Sequence, residues 1–253
     1  MTMRRRLRER PPLLGAWVTI AAPAVVEGLG HAGLDMVIVD LEHGEPGLEA
    51  RLADLTRAAD AAGIEALVRL PGWRLEDGGR LLDAGAAGIV VPQLEHSETV
   101  RRVVLATAYP PAGSRGLSVQ TRAGRYGSLK PEALAQEGDH RPLLLGQIES
   151  LAGVDNLKHI LAEPGLDGIL LGPVDLGAAL AADASGTRKD LEGVLRDIAA
   201  ETAAKDLLLA AACAGLEEAR RFQILGASLL VMSAGLLWKG YRELAVAIRS
   251  PAG

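Results

Sequence analysis

Eight short apolar segments alternate with longer amphipathic segments, and this alternation constrains the fold more than any other feature of the sequence. The apolar segments are five or six residues long, at 14–19, 36–41, 66–70, 88–92, 143–148, 168–172, 207–212 and 228–232. Between them, apolar residues recur at helical spacing, at 48–62, 97–108, 154–162, 191–204, 216–225 and 236–248. Strands that alternate with helices in this way predict a parallel sheet covered by helices.

The number of repeated units indicates how the sheet closes. Eight units in 253 residues are typical of a closed (β/α)8 barrel. The alternative, an open doubly wound sheet, usually carries a G-x-G-x-x-G turn after its first strand, whereas Ile20-Ala21-Ala22-Pro23 follows the first apolar segment here. We therefore predict an α/β protein with the (β/α)8 TIM-barrel fold, in which residues 1–253 form a single domain without a dividing linker.

Two regions fall outside this repeat. The run Arg4-Arg5-Arg6-Leu7-Arg8-Glu9-Arg10 lies near the start of the chain, and we expect residues 1–12 to form a flexible basic tail, because terminal charge runs are usually solvated. The connection at 110–141 is too long for a structural loop, so we expect it to be functional or to form part of an interface.

Composition excludes several classes of function. A net charge of -5 argues against a general nucleic-acid binder. No apolar stretch approaches the ~20 uninterrupted residues that a membrane span needs. The single cysteine, Cys213, excludes an internal disulfide and is typical of a reducing cytoplasm. Its apolar surroundings favour a core residue over a nucleophile.

The active site of a (β/α)8 barrel lies at the carboxyl ends of its strands, and Glu149 and Asp175 follow two neighbouring predicted strands. Adjacent strands are ~5 Å apart, so two converging carboxylates must be protonated, paired with a cation or bound to a metal. Carboxylate oxygens with room for water suit Mg²⁺ or Mn²⁺. We favour a metal site; the alternative is a pair of capping or ion-paired carboxylates.

His43 lies just past the second strand, three residues after Asp40. An imidazole held by a carboxylate is a workable general base near neutral pH, and Asp40 or Glu42 could hold it. The alternative is a structural histidine.

Three further strand ends carry polar groups. Arg69, after the third strand, could stabilise a developing enolate oxygen or form an ion pair with Glu42 or Glu149. Gln147 shares a face with Glu149 and could orient a metal-bound water or an oxo group, or simply fill the barrel mouth. The turn Gly172-Pro173-Val174-Asp175 offers backbone N–H groups to a carboxylate.

These residues resemble those of a known enzyme family. The matching segments are Gly15-Ala16-Trp17, Asp40-Leu41-Glu42-His43, Val68-Arg69-Leu70-Pro71, Tyr109-Pro110-Pro111-Ala112-Gly113-Ser114-Arg115-Gly116, Arg122-Ala123 with Tyr126-Gly127, Gln147-Ile148-Glu149 and Gly172-Pro173-Val174-Asp175-Leu176. In this order they resemble the class II pyruvate aldolases of the 4-hydroxy-2-oxoheptanedioate and 2-dehydro-3-deoxyglucarate aldolase type, within the citrate lyase β-subunit-like superfamily.

The resemblance implies a TIM barrel of the phosphoenolpyruvate/pyruvate type and a metal-dependent aldolase. It assigns the roles as follows: Glu149 and Asp175 bind Mg²⁺, Mn²⁺ or Co²⁺; His43 is the acid/base, oriented by Asp40; Arg69 contacts the pyruvyl oxygen; Trp17, Gln147, Gly172, Pro173 and Val174 line the substrate. It also implies a homohexamer in which the last helix exchanges between neighbours. One segment departs from the family: Met232-Ser233-Ala234-Gly235 stands where a polar or acidic residue commonly follows a glycine.

Three alternatives compete with this interpretation, two of them enzymatic and one non-catalytic. A Schiff-base aldolase needs a lysine at a strand end, and none of the five lysines falls there. A lyase acting on a CoA thioester would need a basic groove, to which Arg122 and Arg125 could contribute. A non-catalytic barrel scaffold would leave several ionisable groups buried without use, which is destabilising.

Overall fold

The computed structural model describes residues 3–72, 74–135, 141–184, 188 and 190–249. Its eight strands are all parallel and pair in sequence order, with β1 closing on β8. They are β1 (Leu13–Val18), β2 (Met36–Asp40), β3 (Glu65–Arg69), β4 (Gly88–Val91), β5 (Leu143–Ile148), β6 (Gly168–Leu171), β7 (Leu208–Cys213) and β8 (Leu229–Met232). The predicted (β/α)8 barrel is confirmed, and every strand lies within one residue of its predicted bounds.

Helices surround the barrel. They are α1 (Met3–Glu9), α2 (Pro23–His31), α3 (Leu52–Ala61), α4 (Gly78–Asp83), α5 (Ser97–Thr107), α6 (Pro131–Ala135), α7 (Leu151–Asp155), α8 (Leu157–Leu161), α9 (Pro173–Ala181), α10 (Leu191–Ala204), α11 (Leu216–Ile224) and α12 (Lys239–Arg249). The region predicted as one helix over 154–162 contains parts of two short helices, α7 and α8, because the helix is interrupted at Asn156. None of the described helices is long and apolar enough to cross a membrane.

Two apolar layers follow from the alternation of side chains along each strand. The outer layer packs the strands against the helices and includes the buried Cys213, as predicted for that residue. The inner layer fills the barrel, and its uppermost members on the eight strands are Trp17, Ile38, Leu67, Val90, Leu145, Leu170, Ala210 and Val231. Side chains two residues further along each strand therefore face the mouth of the barrel.

The amino-terminal segment is an ordered helix, not the expected flexible tail. Met3 and Leu7 of α1 are buried and belong to the inner apolar layer. Arg4 forms an ion pair of 2.7 Å with Asp167, and Arg6 pairs with Asp35. The helix closes the amino-terminal end of the barrel, since its two apolar side chains cover the barrel interior. Residues 1–2 lie outside the described part of the chain.

The long connection at 110–141 lies on the outside of the barrel, as far as residue 135. Arg115 forms an ion pair of 2.5 Å with Asp83 of α4 and stacks 4.5 Å from the centre of the Tyr109 ring. Arg122 pairs with Asp60 of α3. None of its described residues lines the cavity at the barrel mouth. Its expected role in an interface stays a prediction.

Candidate active site

The mouth of the barrel is lined by the side chains that follow the inner apolar layer. Continuing each strand by two residues gives Thr19, Asp40, Arg69, Pro92, Gln147, Gly172, Ala212 and Ser233. All of these except Pro92 line a cavity of about 380 Å³. The other lining residues are Trp17, His43, Pro173, Val174, Asp175, Cys213, Ala214, Glu218 and Ala234. The cavity thus contains every predicted site residue other than Glu149.

Arg69 is held by a paired carboxylate. Parallel register places Asp40 directly beside Arg69 on the neighbouring strand. The guanidinium donates to both Asp40 oxygens, at 2.8 Å from Nε and 2.6 Å from Nη2, and it stacks 4.4 Å from the centre of the Trp17 ring. Both charged side chains are buried. A fork-to-fork pair of this kind fixes the direction of the remaining nitrogen, Nη1.

Asp40 also shapes the turn that carries His43. Its Oδ1 accepts hydrogen bonds from the backbone N–H groups of Glu42 (3.1 Å) and His43 (3.2 Å). The His43 ring is 69% exposed, and its Nε2 lies 3.9 Å from Glu42 Oε2. The structure shows no hydrogen bond between the Asp40 carboxylate and the imidazole, and both Asp40 oxygens accept from Arg69. Asp40 orients His43 through the backbone, and Glu42 is the carboxylate nearest the ring.

Five residues form a closed ring of polar contacts around the mouth, which we call the carboxylate ring: Glu42, Arg69, Gln93, Gln147 and Glu149. Arg69 Nη1 donates to Gln147 Oε1 at 3.5 Å, and the Gln147 amide donates to Glu149 Oε2. The Gln93 backbone N–H donates to Glu149 Oε1 at 2.8 Å, and its side chain to Glu42 Oε1 at 3.4 Å. The Glu42–Arg69 ion pair of 3.0 Å closes the ring.

Two carboxylates of this ring are held where negative charge is unfavourable. The pKa of Glu149 is raised to about 7, chiefly because burial disfavours the charged form. The hydrogen bond from the Gln93 N–H opposes this shift, and the Glu42 and Asp175 carboxylates add to it. Burial also raises the pKa of Glu42. Glu42 Oε2 has no hydrogen-bond donor, since the Arg69 contact does not have the required direction.

Glycine at position 172 allows β6 and α9 to approach Glu149. A Cβ added there would lie 2.6 Å from Glu149 Cβ and 2.8 Å from Glu149 Oε2, both closer than non-bonded atoms approach. α9 begins at Pro173, which has no N–H, and Asp175 lies in its first turn. The N–H groups of Val174 and Asp175 therefore have no acceptor within the helix and face a helix end that favours anions.

The donor set at the mouth fits a hard divalent cation. Four carboxylates, those of Asp40, Glu42, Glu149 and Asp175, surround one guanidinium, that of Arg69. The potential metal ligands are all carboxylate oxygens, which Mg²⁺, Mn²⁺ and Co²⁺ accept. No three His, Cys, Asp or Glu side chains among the described residues form a complete cage for a metal. A cation held here would keep positions for water and substrate.

The sequence did not point to Gln93. It follows β4 and adopts a left-handed backbone with φ of 46°, which is uncommon for a residue other than glycine. Its contribution to Glu149 is made by the backbone, which residue type does not reveal. The usable signal was its position, one residue past Pro92 at a strand end.

The basic groove considered for a CoA thioester is not at the mouth of the barrel, since neither Arg122 nor Arg125 lines the cavity.

The sequence of the chain is similar to those of known aldolases. The family model described as HpcH/HpaI aldolase/citrate lyase matches residues 13–232. The 4-hydroxy-2-oxovalerate aldolase of Novosphingobium aromaticivorans is 37% identical over 172 residues, which are 68% of this chain and 64% of that protein. The 5-keto-4-deoxy-D-glucarate aldolase of Salmonella gallinarum is 33% identical over 88% of this chain and 86% of its own length.

A solved structure agrees with these matches. The HpcH/HpaI aldolase of Desulfitobacterium hafniense superposes with a TM-score of 0.89 at 25% identity, over 100% of this chain and 98% of its own. Fold, site and relatives together define a carbon–carbon lyase of the aldolase class on a (β/α)8 barrel. The chain belongs to the HpcH/HpaI aldolase/citrate lyase family, and the family predicted from the sequence motifs is confirmed.

Proposed function

We propose that the protein is a divalent-metal-dependent aldolase that reversibly cleaves 4-hydroxy-2-oxo acids to pyruvate and an aldehyde. The observation that carries the proposal is the carboxylate ring at the carboxyl ends of the strands, in which buried Glu149 accepts from the Gln93 N–H and Glu42 pairs with Arg69. Aldolases of this family generally depend on a divalent metal. The names of the two relatives given above each specify an oxo acid as substrate.

Glu149 and Asp175 would hold the metal, with Mg²⁺, Mn²⁺ and Co²⁺ as the candidates. When bound, such a cation supplies a Lewis acid that favours negative charge on a neighbouring substrate oxygen. Gln147 restrains the Glu149 carboxylate, because its amide donates to Oε2. The first turn of α9 receives the substrate carboxylate on the N–H groups of Val174 and Asp175.

The protein side chains divide the remaining steps. His43, directly or through a water, takes the proton of the C4 hydroxyl. As the C3–C4 bond breaks, its electron pair moves into the enolate of pyruvate and the C4 carbon leaves as an aldehyde. Arg69 Nη1 donates to the enolate oxygen, whose charge is larger in the transition state than in the substrate. The proton returns to C3, and pyruvate leaves.

Two measurements test this function. The first is a retro-aldol screen over a panel of 4-hydroxy-2-oxo acids with coupled detection of pyruvate. The second is exchange of the pyruvate methyl hydrogens with deuterated water, followed by proton NMR in the absence of any aldehyde. The proposal requires release of pyruvate from at least one substrate and metal-dependent exchange. A metal-loaded preparation that gives neither would exclude it.

Replacing Gly172 by alanine is expected to weaken Mn²⁺ binding by about 10- to 100-fold, the usual effect of disturbing a metal ligand through its neighbour. The added Cβ would overlap Glu149 Cβ and Oε2 and turn the carboxylate away. Isothermal titration with Mn²⁺ measures the change. Gly28→Ala on α2 is the matched control, since a Cβ there meets nothing within 4 Å. Equal Mn²⁺ affinity in both variants would contradict the assignment.

We also propose a homo-oligomer larger than a dimer, with the hexamer as the implied form. Three large apolar side chains are exposed at and near helix α12. Trp238 lies just before the helix, and Tyr241 and Leu244 lie within it and are 74% and 60% exposed. Apolar surface of this kind usually marks a contact between chains. Light scattering is expected to give more than twice the 26.4 kDa of one chain, and Leu244→Glu is expected to lower the mass while Glu243→Gln does not. A wild-type mass of one or two chains would contradict this.

A further inference from the structure

We propose that the aldehyde half of the cleft selects short uncharged aldehydes and discriminates against aldehydes that carry a carboxylate. This inference rests on the proposed function and concerns the wall of the cavity opposite the carboxylate ring. That wall is formed by the ends of β7, β8 and β1.

The two walls differ in the residues that face the mouth. On β2, β3 and β5 these are Asp40, Arg69 and Gln147, whereas β7 and β8 contribute only Ala212 and Ser233. The first turn of α9 provides N–H groups for the carboxylate, and the charged wall provides the guanidinium that the enolate oxygen needs. A bound pyruvate therefore lies against it, and the carbon that reacts with the C3 of the enolate lies against the small residues.

Polar groups on the small-residue wall are few: the hydroxyls of Thr19 and Ser233 and the carboxylate of Glu218. Ser233 Oγ accepts a hydrogen bond from the Gly235 N–H at 3.3 Å. Glu218 Oε2 accepts one from the Ala214 N–H at 2.7 Å. The other members of this wall, Ala212, Cys213, Ala214 and Ala234, carry no charged or amide side chain. A distal carboxylate would meet two hydroxyls here and no amide or cationic side chain among the described residues of this wall, whereas a short alkyl group needs no hydrogen-bond donor.

The charges that line the cavity also disfavour an aldehyde that carries a carboxylate. Among the described lining residues Arg69 is the only arginine or lysine, and Asp40 and Glu42 already neutralise it. Glu218 adds a negative charge to the small-residue wall. An aldehyde with its own carboxylate would meet this like charge in a partly desolvated cleft, which raises the free energy of its transition state relative to that of a neutral aldehyde.

The test compares three aldehydes as acceptors for pyruvate with the Mn²⁺-loaded enzyme: propanal, succinic semialdehyde and the methyl ester of succinic semialdehyde. In each reaction C3 of the enolate bonds to the aldehyde carbon, and the aldehyde oxygen takes up a proton. The ester differs from the acid mainly in charge. We expect kcat/KM for the ester and for propanal to exceed that for the acid by about 10- to 100-fold.

Two variants assign the selectivity to this wall. Ala214→Arg places a cation beside the distal group, and Glu218→Gln removes the anion. Each is expected to shift the acid-to-ester ratio of kcat/KM towards the acid by about tenfold. Glu217→Gln, on the same helix but outside the cavity lining, is the matched control and should leave the ratio unchanged.

The exchange assay separates the two possible failures. Deuterium exchange of pyruvate needs no aldehyde, so it reports the proposed function and the folding of each variant alone. Absence of exchange in the wild type would overturn the proposed function and this inference with it. Exchange together with equal or better use of the acid, or with a ratio that neither variant shifts, would overturn this inference alone.

Discussion

Replacing Arg69 by alanine is expected to lower kcat/KM by about 10²–10³ for both aldol cleavage and decarboxylation of oxaloacetate. Both reactions pass through the same enolate, and Arg69 Nη1 is the guanidinium nitrogen that Asp40 does not engage, since Asp40 accepts from Nε and Nη2. Arg69→Lys should recover only part of the loss, because a single ammonium cannot keep the forked contact with Asp40 and donate to the enolate at once.

His43→Ala supplies the contrast that identifies the base. Oxaloacetate has no C4 hydroxyl, so its decarboxylation does not need a group that removes that proton. We expect His43→Ala to lower aldol cleavage by about 10²–10⁴ and to leave decarboxylation close to that of the wild type. Steady-state kinetics of both reactions at saturating metal measure the two effects. Equal damage to both reactions would mean that His43 has a structural or metal-binding role.

The Arg69 variants also carry a structural cost. Arg69→Ala leaves Asp40 and Glu42 buried without a cation, and breaking a buried ion pair from one side costs about 3–5 kcal/mol. Urea denaturation of each variant separates this loss of stability from the loss of activity. Arg69→Lys keeps the charge and is therefore the variant in which lost catalysis is least mixed with lost folding.

Exhaustive chelation is expected to abolish aldol cleavage, and added Mg²⁺, Mn²⁺ or Co²⁺ to restore it. Glu149→Gln removes the buried carboxylate that would hold the metal, so we expect its Mn²⁺ dissociation constant to rise by more than about 100-fold. Glu98→Gln on α5, which does not line the cavity, should bind Mn²⁺ as the wild type does. Full turnover of a preparation shown to be metal-free would contradict the proposed function.

The pKa of Glu149 sets how metal binding should depend on pH. Because burial raises that pKa to about 7 in the metal-free protein, a proton competes with the metal below pH 7. Titration at several pH values should show the Mn²⁺ dissociation constant rising about tenfold per pH unit below 7 and levelling off above it. In the metal-free protein, stability depends on pH in the opposite direction. Because the pKa of Glu149 is higher in the folded than in the unfolded protein, its contribution to the free energy of unfolding falls as the pH rises from about 4.5 to 7.

The sequence predicts the barrel and much of the mouth for the same physical reason. Period-two alternation along parallel strands fixes which side chains face inward, so Asp40, Arg69 and Gln147 could be assigned to the mouth once the strands were recognised. Glu149 and Asp175 were predicted as a pair from their spacing of about one βα unit, which places them at the ends of neighbouring strands. The small residues Ala212 and Ser233 follow from the same alternation, although small side chains attract no notice in a search for chemistry.

Other features depend on tertiary contacts that the sequence does not encode locally. The run of arginines in α1 is similar to a solvated tail, yet Met3 and Leu7 lie at the spacing that buries one face once the end of the barrel is present. The backbone N–H of Gln93 is a functional donor that any residue type could provide. Asp40 or Glu42 was expected to hold His43; in the structure both Asp40 oxygens accept from Arg69, and Glu42 lies 3.9 Å from the imidazole.

The closed form of the carboxylate ring has a consequence for how substitutions combine. Each of its five members contacts two others, so removal of one changes the partners of the next, and effects of paired substitutions within the ring will not add. Ala212 and Ala214 are outside this ring, and their substitutions should add nearly independently. Under selection, the small-residue wall can then change one residue at a time, whereas the carboxylate ring can change only through coordinated replacements. Epistasis confined to one side of the cleft would let a single enolate chemistry persist while the acceptor diversifies.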